Sequence, residues 1–250
     1  MAGHSKWSKV KRFKGAIDAK RGKLFSRFSK EIMVAARMGG GDMDLNPRLR
    51  SAVLGARAQN MPNDTIERAI KKGTGEIAGG IVEELIYEGY GPSGVALIVE
   101  AATDNKNRTA ADIRRIFSKN NGHLAATGAV SYLFKRKGQI TVPRAALEED
   151  RLLEIALEAG AEDLVVDEES YSVTTPHDQL YHVGEAMRHA GIPIELQKLT
   201  FIPENLVPVQ DSSLADQVLR LCDELEENED VQNVHGNFDI AEETLAKLAH

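Results

Sequence analysis

Residues 139–201 read QITVPRAALEEDRLLEIALEAGAEDLVVDEESYSVTTPHDQLYHVGEAMRHAGIPIELQKLTF, and their pattern decides the fold. Gln139–Val142 is a β-rich run. Arg144–Ala159 turns to the helical period, with Leu147, Leu152, Ile155 and Ala156 on one face. Leu164–Asp167 and Tyr171–Thr175 are short strands joined across Glu168-Glu169-Ser170, which reads as a hairpin. Leu180–Ala190 is helical again, Ile194–Phe201 is a last strand, and Pro203 and Pro208 mark the exit. The order βαββαβ predicts a ferredoxin-like unit.

On either side of that unit lie incomplete pieces. Upstream, Ile81–Tyr87 and Val95–Ala101 are strands joined by Glu88-Gly89-Tyr90-Gly91-Pro92-Ser93-Gly94. A helix from about Asn107 to Asn120 follows, then a strand at Ala129–Phe134 that ends in Lys135-Arg136-Lys137-Gly138. Downstream, Leu206–Val209, a helix over Ser212–Glu227, the strand Val231–His235 and a helix from Ala241 are too little for a domain. Each piece needs another sheet to pack on, so the two are expected to join with the ferredoxin-like unit inserted between them.

The first third is helical. Over Ala16–Arg37, Leu24, Phe25, Phe28, Ile32, Ala35 and Ala36 share one side, and Lys20, Lys23, Arg27, Lys30 and Arg37 lie opposite, with only Asp18 and Glu31 as acids. Gly39-Gly40-Gly41 ends this helix. Asn46-Pro47 starts a second, as N-cap and first-turn proline. A third begins near Met61-Pro62-Asn63-Asp64 and stops at Lys71-Lys72-Gly73. The expected class is therefore α+β in three domains: a basic helical bundle over 1–75, a discontinuous α+β domain over 76–135 and 205–250, and the inserted ferredoxin-like domain over 136–204.

Charge is divided as sharply as structure. The chain carries a formal −7, yet residues 1–75 hold seventeen basic and six acidic side chains, leaving the remainder at −18. A basic front on an acidic body points to a polyanionic partner. The candidate contacts are His4, Lys6, Trp7, Lys9, Lys11, Arg12 and Lys14 in an arm, or an irregular helical turn, then Lys20, Arg21, Lys23, Arg27, Lys30 and Arg37 on the first helix. Trp7, the sole tryptophan, offers a face for stacking or an anchor for the arm. A single-sign strip repels itself, which argues against a role in solubility alone. A secondary basic surface, Arg108, Arg115 and Lys119 on one helix and Lys135, Arg136 and Lys137 in the following turn, lies beside Asp104-Asn105-Lys106-Asn107-Arg108-Thr109. That hexapeptide suits either phosphate oxygens or a capped helix start.

Other function classes find less support. The single cysteine, Cys222, excludes an internal disulfide and a multi-cysteine zinc site, and fits a reducing compartment. No apolar run approaches the roughly 18 residues of a membrane span, and the N-terminus lacks the core of a secretory signal, so a cytoplasmic protein is expected. Its glycines and dispersed charges also differ from a transit peptide. Gly89-Tyr-Gly91-Pro-Ser-Gly94 spells G-x-G-x-x-G, but it leads into a strand rather than a helix, and Pro92 lacks an amide donor. His182 and His189 share a helical face but lie about two turns apart, too far to share a metal unaided. The acids at 148–150, 167–169 and 224–230 fall at helix ends and a hairpin tip, solvated places unsuited to shifting a catalytic pKa. With no nucleophile constellation, no catalytic residue, metal, cofactor or small-molecule substrate is expected.

AGHSKW at 2–7, MPNDTIERAIKKG at 61–73, YEGYGPSGVA at 87–96, DNKNRT at 104–109 and GAVSYLF at 128–134 resemble the YebC family, which includes mitochondrial translational activators of cytochrome oxidase. The blocks occur in order along most of the chain. The segment 120–126 departs from the family's glycine-rich wording, and Ala129 stands where Ser is more typical. The resemblance implies the same three-domain fold and a non-enzymatic role in gene expression. Two versions stay open: a transcriptional regulator on promoter DNA, or a ribosome-associated factor that contacts ribosomal RNA and relieves stalling at proline-rich stretches. No recognition helix with several base-reading side chains stands out, which leans against tight sequence specificity. An enzyme using the cleft between the α+β domains and an acidic protein-interaction scaffold are the rival classes.

Overall fold

The structure is a computed structural model that describes residues 17–248, without the side chains of residues 17–21, 242, 246 and 247. Three helices open it: α1 (Ile17–Gly39), α2 (Pro47–Ala58) and α3 (Asn63–Thr74). Their apolar stripes meet in a cluster that includes Ile32, Ala35, Leu49, Val53, Ile66 and Ala69, all nearly solvent-free. Asn46 fixes the α1–α2 corner. Its Oδ1 accepts from the Leu49 amide at 3.1 Å, and its Nδ2 donates to the carbonyls of Ala35 and Gly40, each at 2.8 Å. Gly40 turns the chain at φ 84°, the left-handed conformation that a glycine adopts without penalty. One buried asparagine thus caps the second helix and satisfies carbonyls at the end of the first.

The hairpin is observed, its strand ends one to three residues later than expected: β1 (Glu83–Tyr90) pairs antiparallel with β2 (Ala96–Thr103), Leu85 opposite Ala101. With β3 (His123–Leu124) and β9 (Val231–Gly236) they form a sheet of order β3-β1-β2-β9. Alternation along β2 sends Val95, Leu97 and Val99 toward helices α4 (Lys106–Lys119) and α7 (Ser212–Glu227), where Phe117, Val218 and Leu221 complete the largest core. Ala96 and Ile98 face the other way, against Val130 and Phe134. The G-x-G-x-x-G letters serve this packing. A Cβ at Gly89 would lie 2.6 Å from the Phe117 ring and 2.8 Å from the His123 carbonyl.

Strand β4 corrects the sequence reading. It runs unbroken over Phe134–Pro143, so Lys135, Arg136 and Lys137 lie within a strand and form no turn, while of the expected strand at Ala129–Phe134 only Phe134 is in a strand and the rest is a loop with a 3-10 turn at Ser131–Leu133. The cause is Glu88. Its buried carboxylate accepts from the amides of Gly128 and Val130 at 2.7 Å and Ser131 at 2.9 Å. Backbone groups committed to a carboxylate are unavailable to a β-ladder.

The remaining elements form the expected unit: β4, α5 (Glu149–Glu158), β5 (Asp163–Val166), β6 (Ser170–Pro176), α6 (Leu180–His189) and β7 (Leu196–Pro203). Their antiparallel sheet has the order β5-β6-β4-β7, the ferredoxin-like arrangement, with both helices on one face around Ile140, Val142, Leu152, Val173, Val183 and Met187. Helix α5 begins later than the helical period suggests, because residues 144–146 form a separate 3-10 turn. After β7 come β8 (Val207–Val209), α7, β9, β10 (Phe238–Ile240) and α8 (Glu242–Leu248). The parallel β8–β10 pair was not expected from the sequence. Since β9 joins the first sheet alongside β2, the ferredoxin-like unit is an insertion.

Candidate nucleic-acid interface

Candidate contacts 4–14 lie outside the described residues, as do the side chains of Lys20 and Arg21. The rest of the α1 strip can be followed, and it does not face solvent along its length. Arg27 donates to the carbonyl of Glu226 at the end of α7. Lys30 reaches the Glu229 carbonyl at 2.7 Å and the Asp230 carboxylate at 2.6 Å. Arg37, exposed, donates to the Val82 carbonyl at 3.3 Å, and Lys23 is half-buried. The middle of the strip, Arg27 and Lys30, is therefore a seam against the chain's own acidic C-terminal part, while Arg37 meets the chain just ahead of β1. The helical period located the face correctly, but it could not reveal what packs there.

Asp230 is the centre of that seam. Besides Lys30 its carboxylate accepts from Thr109 Oγ1 at 2.7 Å and Arg108 at 3.0 Å. Burial alone would raise its pKa, but bonds from Lys30, Thr109 and Arg108 outweigh that and hold it at about 2. The hexapeptide at 104–109 is thus largely occupied. Asn105 caps α4 by accepting from the Arg108 amide at 3.1 Å, and Arg108 and Thr109 grip Asp230. The secondary basic surface is neutralised in the same way. Arg115 pairs with Asp112 at 3.3 Å, Lys119 with Glu224 at 2.8 Å, Lys135 with Glu204, and Lys137 with Glu162 at 2.6 Å. Arg136 is exposed beside them.

The cations left open to a ligand are mostly others. Arg57, Arg68, Lys71 and Lys72 on α2 and α3 are exposed and form no ion pair among the described residues. Arg68, Lys71 and Lys72 follow an i, i+3, i+4 spacing that puts them on one helical face, opposite buried Ile66 and Ala69. That spacing was present in the sequence. Lys71 and Lys72 stand in the last turn of the helix, where cations also complement its negative end, so the spacing alone does not single out a binding face.

Two cavities border the bundle. One, of about 330 Å³, is lined by Met33, Arg37, Lys72 and residues 73–75 and 77–82, with no acid, histidine or cysteine to move a proton. The other, of about 410 Å³, includes Asp42, Glu67, Lys71 and Glu76, all exposed. Elsewhere a buried His235 sets Nε2 2.9 Å from Glu100, which also accepts from Asn233 at 3.0 Å. Burial would raise the Glu100 pKa, but His235 and Lys198 keep it below its ordinary value. This pair, which the scattered histidines did not suggest, borders neither cavity and sits where β9 meets β7. No group of three or more potential metal ligands occurs among the described residues. No helix among them is long and apolar enough to cross a membrane.

A helical bundle ahead of two α+β units, one inserted in the other, with charge segregated between bundle and body, defines a class with solved relatives. A conserved hypothetical protein of Aquifex aeolicus superposes with a TM-score of 0.85 at 49% identity, over 91% of this chain and 93% of that one. Residues 5–76 match the TACO1/YebC N-terminal domain and residues 82–238 the TACO1/YebC second and third domain, so the chain belongs to the TACO1/YebC family. A relative from Desulfotalea psychrophila, named a probable transcriptional regulatory protein, is 57% identical over 249 residues, covering 100% of both chains. One from Geobacter sulfurreducens with the same designation is 52% identical, over 99% of this chain and 100% of its own.

Proposed function

We propose that this protein is a non-enzymatic regulator of gene expression that binds nucleic acid, with promoter DNA as target, through its basic helical bundle. The observation that carries the reading is the set of exposed cations Arg57, Arg68, Lys71 and Lys72, which form no ion pair among the described residues, on a bundle whose sequence is +11. The arm from His4 to Lys14, with Trp7, adds to the same charge in sequence. The designations of the relatives agree with a role in transcription. Contacts of this kind go to phosphate, so affinity would be steeply salt-dependent, each neutralised phosphate adding about 0.9 to the log–log slope on duplex DNA.

Crosslinking in cells followed by sequencing of the bound nucleic acid tests the target. Promoter fragments are the expected result, and enrichment of ribosomal RNA would replace promoter DNA as the target. In vitro, Arg68→Glu with Lys71→Glu should abolish binding to a duplex and leave the thermal transition unchanged. Full binding by that variant would remove this face of α3 from the interface.

A further inference from the structure

We propose that the acidic end of α7 is an autoinhibitory phosphate mimic, which holds the α1 cations Arg27 and Lys30 until a nucleic acid displaces it. This deepens the nucleic-acid reading above and rests on it. The argument begins with spacing. Arg27, Lys30, Val34 and Arg37 recur every three or four residues, so they form one face of α1. That face meets the chain's own oxygens in a row: the Glu226 carbonyl, the Glu229 carbonyl with the Asp230 carboxylate, and the Val82 carbonyl. The last turn of α7 has no basic side chain of its own, and the sequence there is Glu224-Leu225-Glu226-Glu227-Asn228-Glu229-Asp230. A helix C-terminus carries partial negative charge. Carbonyls and carboxylates at this end therefore present to α1 what a phosphate backbone would present: closely spaced anionic oxygens.

Two further observations make the contact a displaceable one. The apolar part of the seam is thin, with Val34, Val82 and Ala102 buried together, whereas the bundle's own core has ten buried residues. The neighbouring links between bundle and body are also ionic, Arg48 to Glu84 and Arg50 to Glu185 at 2.7 Å. Interfaces held by charge yield to competing polyanions and to salt more readily than apolar ones. Arg27, moreover, is incompletely satisfied. The Glu226 carboxylate is near enough to favour its charge, but its hydrogen bond goes to the Glu226 carbonyl, and its buried Nε has no hydrogen-bond partner among the described residues. A phosphate offers that guanidinium a bidentate charged partner that the closed seam does not.

The test is the affinity of the full chain for a fluorescein-labelled duplex of arbitrary sequence, compared with that of Asp230→Asn. Removing the carboxylate charge while keeping its shape should free Lys30 and tighten binding about fivefold, since a larger fraction of molecules is competent. Hydrogen exchange on the wild-type chain supplies a readout independent of the variant's folding. Adding duplex should speed amide exchange at the end of α7, around residues 224–230. Binding by the wild type with no gain for Asp230→Asn and no faster exchange at 224–230 overturns the autoinhibitory contact alone. No binding by either protein, even at low salt, overturns the nucleic-acid reading together with it.

Discussion

Glu88 and Asp230 are both buried carboxylates, and both are held below the ordinary carboxylate range against the cost of burial. They differ in what satisfies them. Glu88 is met by backbone amides of a neighbouring loop, whereas Asp230 is met by side chains from α1 and α4. A carboxylate bonded to amides stiffens one place, with partners that cannot leave without unfolding the loop. A carboxylate bonded to cations joins separate regions, with partners that other anions can take. The first arrangement makes a permanent brace and the second a reversible junction.

That contrast is most severely tested at Glu88. Glu88→Gln turns one acceptor oxygen into a donor facing amide donors, and should cost about 3–5 kcal/mol. On a chain of this size it should lower the thermal midpoint by roughly 10 °C, read by calorimetry. A loss below about 1 kcal/mol would mean that the loop holds itself. Asp230→Asn should cost less, about 2 kcal/mol, read as a shift in urea midpoint. The third test is acid. Asp230's pKa is depressed from 3.8 to about 2, so its contribution is complete above about pH 4 and is lost as pH falls through 2. The stability difference between wild type and Asp230→Asn should therefore shrink from about 2 kcal/mol toward zero between pH 5 and pH 2. The smallest effect is expected at Lys119→Ala. Its ion pair with Glu224 is exposed enough that equilibrium unfolding should shift by less than about 1 kcal/mol.

The sequence revealed the α+β class and the ferredoxin-like order because periodicity and turn residues are local signals. Ser212–Glu227 was read to the residue, and Asn46 and Pro47 were recognised as a cap and first-turn pair. What it concealed were the places where a distant group overrides local preference. Ala129–Phe134 has strand composition, yet a carboxylate some forty residues away, at Glu88, takes its amides. The cations Arg27 and Lys30 form an open strip on a helical projection, yet they meet oxygens about two hundred residues later in the chain. No local pattern encodes such a pairing. The cations of α3 were legible at i, i+3, i+4, and needed only to be read as a face.

Strand β4 has a consequence for taking the molecule apart. Its first residue, Phe134, covers the second face of the first sheet beside Ala96 and Ile98, while Ile140 and Val142 line the core of the ferredoxin-like sheet. The entry into the insertion is consequently a rigid beam shared by two cores, not a hinge. A protease site or a flexible insert placed between residues 135 and 136 would interrupt a ladder with β7 that runs from Phe134 to Thr141. Grafting the ferredoxin-like unit elsewhere would require carrying Phe134 along, or supplying a new apolar cap for the sheet left behind.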